Sequence, residues 1–189
     1  WAVAFQFTPE RAETLLESID IQVGRSGVAT PVARLKPVYL SGSTISNATL
    51  HNVTVIRAKD TRIGDTVVIE KAGEIIPAVL HVVLAKRPAE AVPYEMPAQC
   101  PSCGGALTRA ASEVAYRCTN YVCPAQLHGR IAFFASKPCM DIGEIGDAIV
   151  GQLIARGFVS RVPDLYSLTA EQLATLDKFG AKSIANLMA

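Results

Sequence analysis

Four cysteines stand in two close pairs, Cys100-Pro-Ser-Cys103 and Cys118-Thr-Asn-Tyr-Val-Cys123. A turn within each pair brings two thiols within reach of one ion, and two such turns supply the corners of a tetrahedron. This spacing predicts a structural Zn2+ held by Cys100, Cys103, Cys118 and Cys123, because four thiolates leave no open position for a reacting water. Gly104 and Gly105 permit a tight turn that aims backbone N–H groups at the sulfurs. A disulfide framework would need a secretory route, and no leader pattern opens the chain. A redox pair at Cys100 and Cys103 would need a βαβ setting, which the flanking residues lack. Cys139, beside Pro138, reads as a buried small apolar residue outside the ligand set.

A second constellation is built on glycines. Ile142-Gly143-Glu144-Ile145-Gly146 before a helical run has the shape of a helix-hairpin-helix turn. There Gly143 and Gly146 would let the backbone approach a DNA phosphate and the next helix start would bind it without reading sequence. Glycine also ends many helices, so one such turn is weak evidence. Lys178-Phe179-Gly180-Ala181-Lys182-Ser183 adds two cations beside Gly180, and the two segments form a weak internal repeat. A polar set of Arg25, Ser26, Arg34, His51, Asn52 and Lys71 lies among β-rich residues. Its cations could straddle a duplex backbone from one barrel face, or serve only as turn and surface residues. No Ser-His-Asp order and no metalloprotease helix stand out, and Lys71-Ala-Gly-Glu74 has too few glycines for a phosphate loop.

The elements that must position these groups change character along the chain. Residues 1–18 read as a terminal strand plus linker, opened by Trp1-Ala-Val-Ala-Phe5. From Ile19 to about Ala85, alternation at Ile19, Ile21 and Val23 and recurring turn residues predict about five short strands, with one short helix over Asn52 to Lys59. An all-β barrel with one interposed helix is the outline of an OB-fold, placed at 19–90. Residues 86–99 hold three prolines and no periodicity, which predicts a linker into a small four-cysteine finger reaching to residue 130. Beyond it, Ile142, Ile145, Ile149 and Leu153 read as one helical face, and Thr169 opens a second helix through Leu173 and Leu176. The fold class is therefore multidomain, β then α, with the helical part at 131–189.

Of the residues, 50% are hydrophobic and 19% charged, which excludes a disordered tail. The net charge of +1 advertises neither nucleic acid nor membrane. Residues 100–139 carry Arg109, Arg117, Arg130 and Lys137 against Glu113, an excess largely offset by four thiolates on one Zn2+. The most apolar stretch, Ile75 to Ala85, is broken by Pro77 and His81 and is too short to span a bilayer. With no leader, the cytoplasm is the default. The chain starts without Met and stops inside a helical pattern, so it reads as a piece of something longer.

Taken together these segments resemble the middle part of a bacterial NAD+-dependent DNA ligase. The resemblance runs through Trp1 to Phe7, Val23-Gly-Arg-Ser-Gly-Val-Ala-Thr-Pro-Val-Ala33, Ala48-Thr-Leu-His-Asn52, Arg62-Ile-Gly-Asp-Thr-Val-Val68 and Lys71-Ala-Gly-Glu-Ile-Ile-Pro77. It continues through the four cysteines with Cys123-Pro-Ala-Gln126, then Met140-Asp-Ile-Gly143 and Lys182-Ser183, and so covers nearly the whole chain. It implies the end of an adenylation domain, an OB domain, a zinc finger and the start of a helix-hairpin-helix domain. It further implies a monomer that closes on nicked double-stranded DNA and seals 3′-hydroxyl to 5′-phosphate with NAD+ and Mg2+ in replication and repair. The family's nucleophilic lysine lies in Lys-x-Asp-Gly, and no lysine here is followed by that pattern. Gln6 stands where the family carries a nucleotide-contacting lysine, and Lys178 where a hairpin glycine is common. The implied DNA contacts are Arg25, Lys71, Gly143, Gly146, Gly180 and Lys182. The alternatives are a non-enzymatic zinc-containing DNA-binding or scaffold protein made of the same domains, and a zinc-stabilised protein-interaction module.

Overall fold

In a computed structural model, which describes residues 1–2, 9–72 and 76–189, the first long run of alternating burial begins at Arg11. Strand β1 spans Arg11–Val23, so it starts well before the apolar alternation at Ile19, inside the stretch read as linker. Thr14 and Leu16 point inward while Glu13, Leu15 and Glu17 face solvent. The inward positions Ala12 and Thr14 are too weakly apolar to announce a strand by themselves. Gln6 and the apolar run around it lie outside the described residues.

Strands β2 (Val28–Leu40), β3 (Ser43–Thr49), β4 (Thr66–Ala72) and β5 (Ile76–Val82) follow. The order β1-β4-β5-β3-β2, with β2 returning to pair β1, closes five strands into a barrel with no free edge between them. The pairs β1–β4, β2–β3 and β4–β5 are antiparallel, whereas β3 and β5 pair in parallel with Thr49 opposite Ala78. The inner face is filled by Leu16, Ala33, Leu35, Ile45, Val67, Ile69 and Val79. Helix α1 (Val53–Ala58) lies between β3 and β4 and buries Val53 and Ile56. Its N-cap is Asn52, whose side chain accepts the Val55 N–H at 3.0 Å, so this member of the polar set starts a helix. A short hairpin, β6 (Leu107–Thr108) and β7 (Tyr116–Cys118), extends the sheet at β2.

The proline-rich segment after β5 is bound to the barrel rather than free. Asp65 is fully buried, and it accepts the Arg62 N–H at 2.8 Å and the Arg87 guanidinium at 2.8 and 3.0 Å. Arg87 also pairs with Asp60 at 2.5 Å, Arg62 donates to the Ala91 carbonyl, and Tyr94 packs against the core. The prolines concealed this because ion pairs to a distant turn leave no periodic trace. Arg87→Ala strands a buried carboxylate without its counter-charge, a loss of about 3 kcal/mol. It should lower the barrel's melting temperature by roughly 10 °C, and an unchanged melting curve would show that the pair contributes nothing.

The chain divides into two compact units. The barrel, with Leu107–Arg117, forms one, and Val23–Gly27, Cys100–Ala106 and Cys118–Ala189 form the other. The second contains α2 (Pro124–Ala135), α3 (Asp147–Ala155), a 3-10 turn at Val162–Ser167, α4 (Ala170–Ala174) and α5 (Ala181–Met188). Its core is Ile131, Ile145, Val150, Leu153, Leu173 and Phe179 with their neighbours. Ile142 and Ile145 precede α3 instead of continuing its face, because the backbone reverses at Glu144 with φ +68°. Thr169 does open α4, through a capping box with Gln172. Among the described residues no helix is long and apolar enough to cross a membrane.

Candidate metal centre and paired glycine turns

The two cysteine pairs converge. The Sγ atoms of Cys100, Cys103, Cys118 and Cys123 all lie within 4.8 Å of one another, with Cys100 to Cys123 at 3.9 Å and Cys103 to Cys118 at 3.5 Å. A tetrahedral S4 site with Zn–S bonds of about 2.3 Å needs S···S separations near 3.8 Å, so the donor set fits Zn2+. Three of the four cysteines are buried and Cys103 is half-buried. Gly104 takes φ +70°, and its N–H donates to the Cys100 carbonyl at 2.9 Å, which closes the first turn. The Gly105 N–H and the Asn120 side chain lower the Cys103 pKa to about 6. Burial pushes the Cys118 thiol up to about 12, so at neutral pH an entering cation must displace its proton.

Several supports of this centre escaped the sequence reading. Gln126 is buried on α2, and its Nε2 donates to the carbonyls of Cys118 at 2.9 Å and Asn120 at 3.1 Å, which fixes the second turn. The Ala125 N–H at the start of α2 donates to Ser102 Oγ at 3.1 Å, tying it to the first turn. The turn Val23–Gly27 docks on the same helix: the Cys118 N–H donates to the Gly27 carbonyl at 2.8 Å, and Gly129 leaves room for the Arg25 backbone. The only available signal was Gln126 in the motif after Cys123, which names the residue but not its two carbonyls. Cys139 is exposed, contrary to expectation, because it lies in the turn after α2 where its N–H donates to the Ser136 carbonyl.

Arg25 is exposed, and its guanidinium lies 3.4 Å from the centroid of the Phe133 ring, with no carboxylate partner among the described residues. Arg130 similarly lies 4.4 Å from the Tyr121 ring and donates to the Tyr121 carbonyl. Stacking leaves a guanidinium's edge free to meet an anion. Within the barrel, Lys71 Nζ stands 3.4 Å from Ser43 Oγ, whereas Arg34 is engaged by Asp20 and Asn47. His51 is exposed in a left-handed turn at φ +59°.

The two glycine segments of the second unit share one backbone design. Glu144 and Lys178 adopt φ +68° and +59°, Ile145 and Phe179 are buried, and Gly146 and Gly180 are the N-caps of α3 and α5 with ψ 173° and 171°. The left-handed residue is thus Glu144 rather than Gly143. A side-chain carbon at Gly143, Gly146 or Gly180 would meet nothing within 4 Å, so the backbone before each helix is open to an approaching group. Each turn is pinned by an amide from the helix that follows the other. Gln152 on α3 exchanges two bonds with the Asp177 backbone at 2.7 and 3.2 Å, and Asn186 on α5 donates to Glu144 at 2.8 Å. Gln152 and Asn186 occupy the same step past their N-cap glycines, so the weak repeat in sequence is a paired arrangement in space. The charges differ: Asp147 opens α3 beside His128 at 3.6 Å, while Lys182 is the second residue of α5.

Comparison with known proteins follows this division. The profile of the NAD-dependent DNA ligase OB-fold domain matches residues 13–91, and that of the NAD-dependent DNA ligase C4 zinc finger domain matches residues 99–125. The chain is 53% identical over 188 residues to DNA ligase 1 of Opitutus terrae, and 52% identical over 188 residues to a DNA ligase of Lactobacillus helveticus. It is 51% identical over 189 residues to a DNA ligase of Chlorobaculum parvum. In each case the alignment covers 100% of this chain and 28% of the relative.

Proposed function

From the membership of this chain in the NAD-dependent DNA ligase family, whose OB-fold and C4 zinc-finger domains it carries, we propose that it is the DNA-gripping middle region of a nick-sealing ligase. The observation that carries this reading is identity of about half over the entire chain with proteins named DNA ligase. The whole enzyme would join a 3′-hydroxyl to a 5′-phosphate in nicked duplex DNA, drawing AMP from NAD+ with Mg2+ as helper. It would act as a monomer in the cytoplasm during replication and repair. This segment would supply grip rather than chemistry, since no lysine in it sits in Lys-x-Asp-Gly.

The residues suit contact with a phosphate backbone rather than with base edges. Arg25 and Lys71 offer cations without carboxylate partners among the described residues. The helical part, read as a helix-hairpin-helix unit, presents the backbone at Gly143 and Gly146 and, more strongly, Gly180 with Lys182. The zinc has a structural part, holding the finger's turns in place around four thiolates.

Fluorescence anisotropy of this chain with nicked and intact duplex across a salt series tests the reading. Affinity that falls by about tenfold or more between 50 and 200 mM salt marks phosphate contacts, because released counterions set that slope. Tighter binding to the nick supports the ligase reading further. No binding at low salt would overturn the assignment of these residues as a DNA grip.

A further inference from the structure

Gly129 and Phe133 each stand two residues from the buried Ile131 on α2, about 200° round the helix, and so face away from the core. The turn that carries Arg25 uses both positions. A side-chain carbon at Gly129 would stand 3.0 Å from the backbone nitrogen and Cβ of Arg25, so the turn lies directly on the helix there. One helical turn further on, a rise of about 6 Å, the Arg25 guanidinium lies 3.4 Å from the centroid of the exposed Phe133 ring. Arg130, three residues before Phe133 and therefore its neighbour on the helix surface, repeats the arrangement. Its guanidinium lies 4.4 Å from the centroid of the Tyr121 ring, and Nη2 donates to the Tyr121 carbonyl at 2.8 Å. Tyr121 is exposed too, and it lies between Cys118 and Cys123, so the metal-binding turn carries that ring. Neither guanidinium meets a carboxylate among the described residues.

We propose that Arg130 is a second contact to the duplex phosphate backbone beside Arg25, and that Phe133 and Tyr121 are positioning residues which hold the two guanidiniums for that contact. This rests on the DNA-binding reading above, to which it adds Arg130 and the two rings. A ring against the face of a guanidinium leaves the in-plane N–H groups pointing outward, and a phosphate takes two of these side by side. A long arginine side chain otherwise loses its rotamer freedom when it meets the ligand; here stacking has already restricted it. The exposed aromatics on α2 and in the finger are explained by the cations they carry. Contacts of this kind go to phosphate oxygens, so they fix the grip on duplex without reading its sequence.

The test measures binding of nicked duplex across a salt series, with zinc content as the check that the finger is intact. Arg130→Gln should weaken binding about tenfold at low salt and flatten the slope of log K against log salt by about 0.9, one phosphate contact. Phe133→Leu keeps the apolar bulk and removes the ring's charge distribution. It should weaken binding by about two- to fivefold while the slope stays as in wild type, because no cation is lost. In an Arg25→Gln background Phe133→Leu should cost nothing further. Tyr121→Leu should behave like Phe133→Leu but through Arg130, and Tyr121→Phe, which restores a ring, should bind as wild type does. If wild type binds with a salt slope and Arg130→Gln changes neither affinity nor slope, the second contact is overturned while the DNA reading stands. A loss in Phe133→Leu that persists without Arg25 would overturn the positioning role. If no form binds duplex, both the DNA reading and this inference fall.

Discussion

Replacing Cys118 by serine should take bound zinc from one ion per chain to none and unfold the turns that the metal holds. Cys118 is buried, and its sulfur lies 3.5 Å from Cys103 within the four-thiol cluster. Its carbonyl accepts Gln126, and its N–H meets the Gly27 carbonyl. A serine hydroxyl is a poor zinc ligand, and structural zinc supplies folding free energy of about 10 kcal/mol or more. Elemental analysis reads the metal, and amide exchange at Cys100–Ala106 and Cys118–Cys123 reads the local unfolding. The barrel core contains none of the ligands, so its strand signal should persist. Cys139→Ser is the control, because that thiol is exposed and outside the cluster. Retained zinc in the Cys118 variant would overturn the ligand assignment.

The second large effect falls on a glycine that lies outside the set of metal ligands. Gly27 ends the Gly-Arg-Ser-Gly turn at φ +81°, and a methyl carbon there would stand 2.5 Å from the Cys118 carbonyl oxygen and 3.2 Å from Gln126 Nε2. The collision is with backbone on one side and with the amide that clamps that same carbonyl on the other. Gly27→Ala should therefore cost about 3 kcal/mol or more, from left-handed strain together with overpacking. It should also speed zinc loss to a chelator, because the displaced carbonyl belongs to a ligand. Gly42 separates the two contributions: its φ is +76°, but nothing lies within 4 Å of an added carbon. Gly42→Ala should lose only about 1 kcal/mol. Equal losses at the two glycines, read by thermal unfolding, would show that the close approach at Gly27 is not felt.

These two glycines show where reading residues in order stops being informative. Both look like turn glycines in the sequence, and both have positive φ, yet only one faces a carbonyl brought from far along the chain. The Cys-x-x-Cys spacing was legible because ligand chemistry is local: two thiols on one turn already define half a tetrahedron. The barrel and its single helix were legible for a similar reason, since alternation and capping act over a few residues, as at Asn52 and Thr169. Strand β1 began earlier than its apolar pattern because burial at Thr14 is imposed by neighbouring strands, not by its own hydrophobicity.

By itself, then, the sequence determined the donor set of the metal site, the OB-type succession of strands and helix, and the presence of two glycine turns. Tertiary structure alone decided that Arg25 lies on Phe133, that Arg87 neutralises the buried Asp65, and that Gln152 and Asn186 each pin the opposite turn. The reason is the range of the forces: propensity and ligand spacing act between chain neighbours, whereas ion pairing, stacking and close packing act between groups that meet only once the chain has folded.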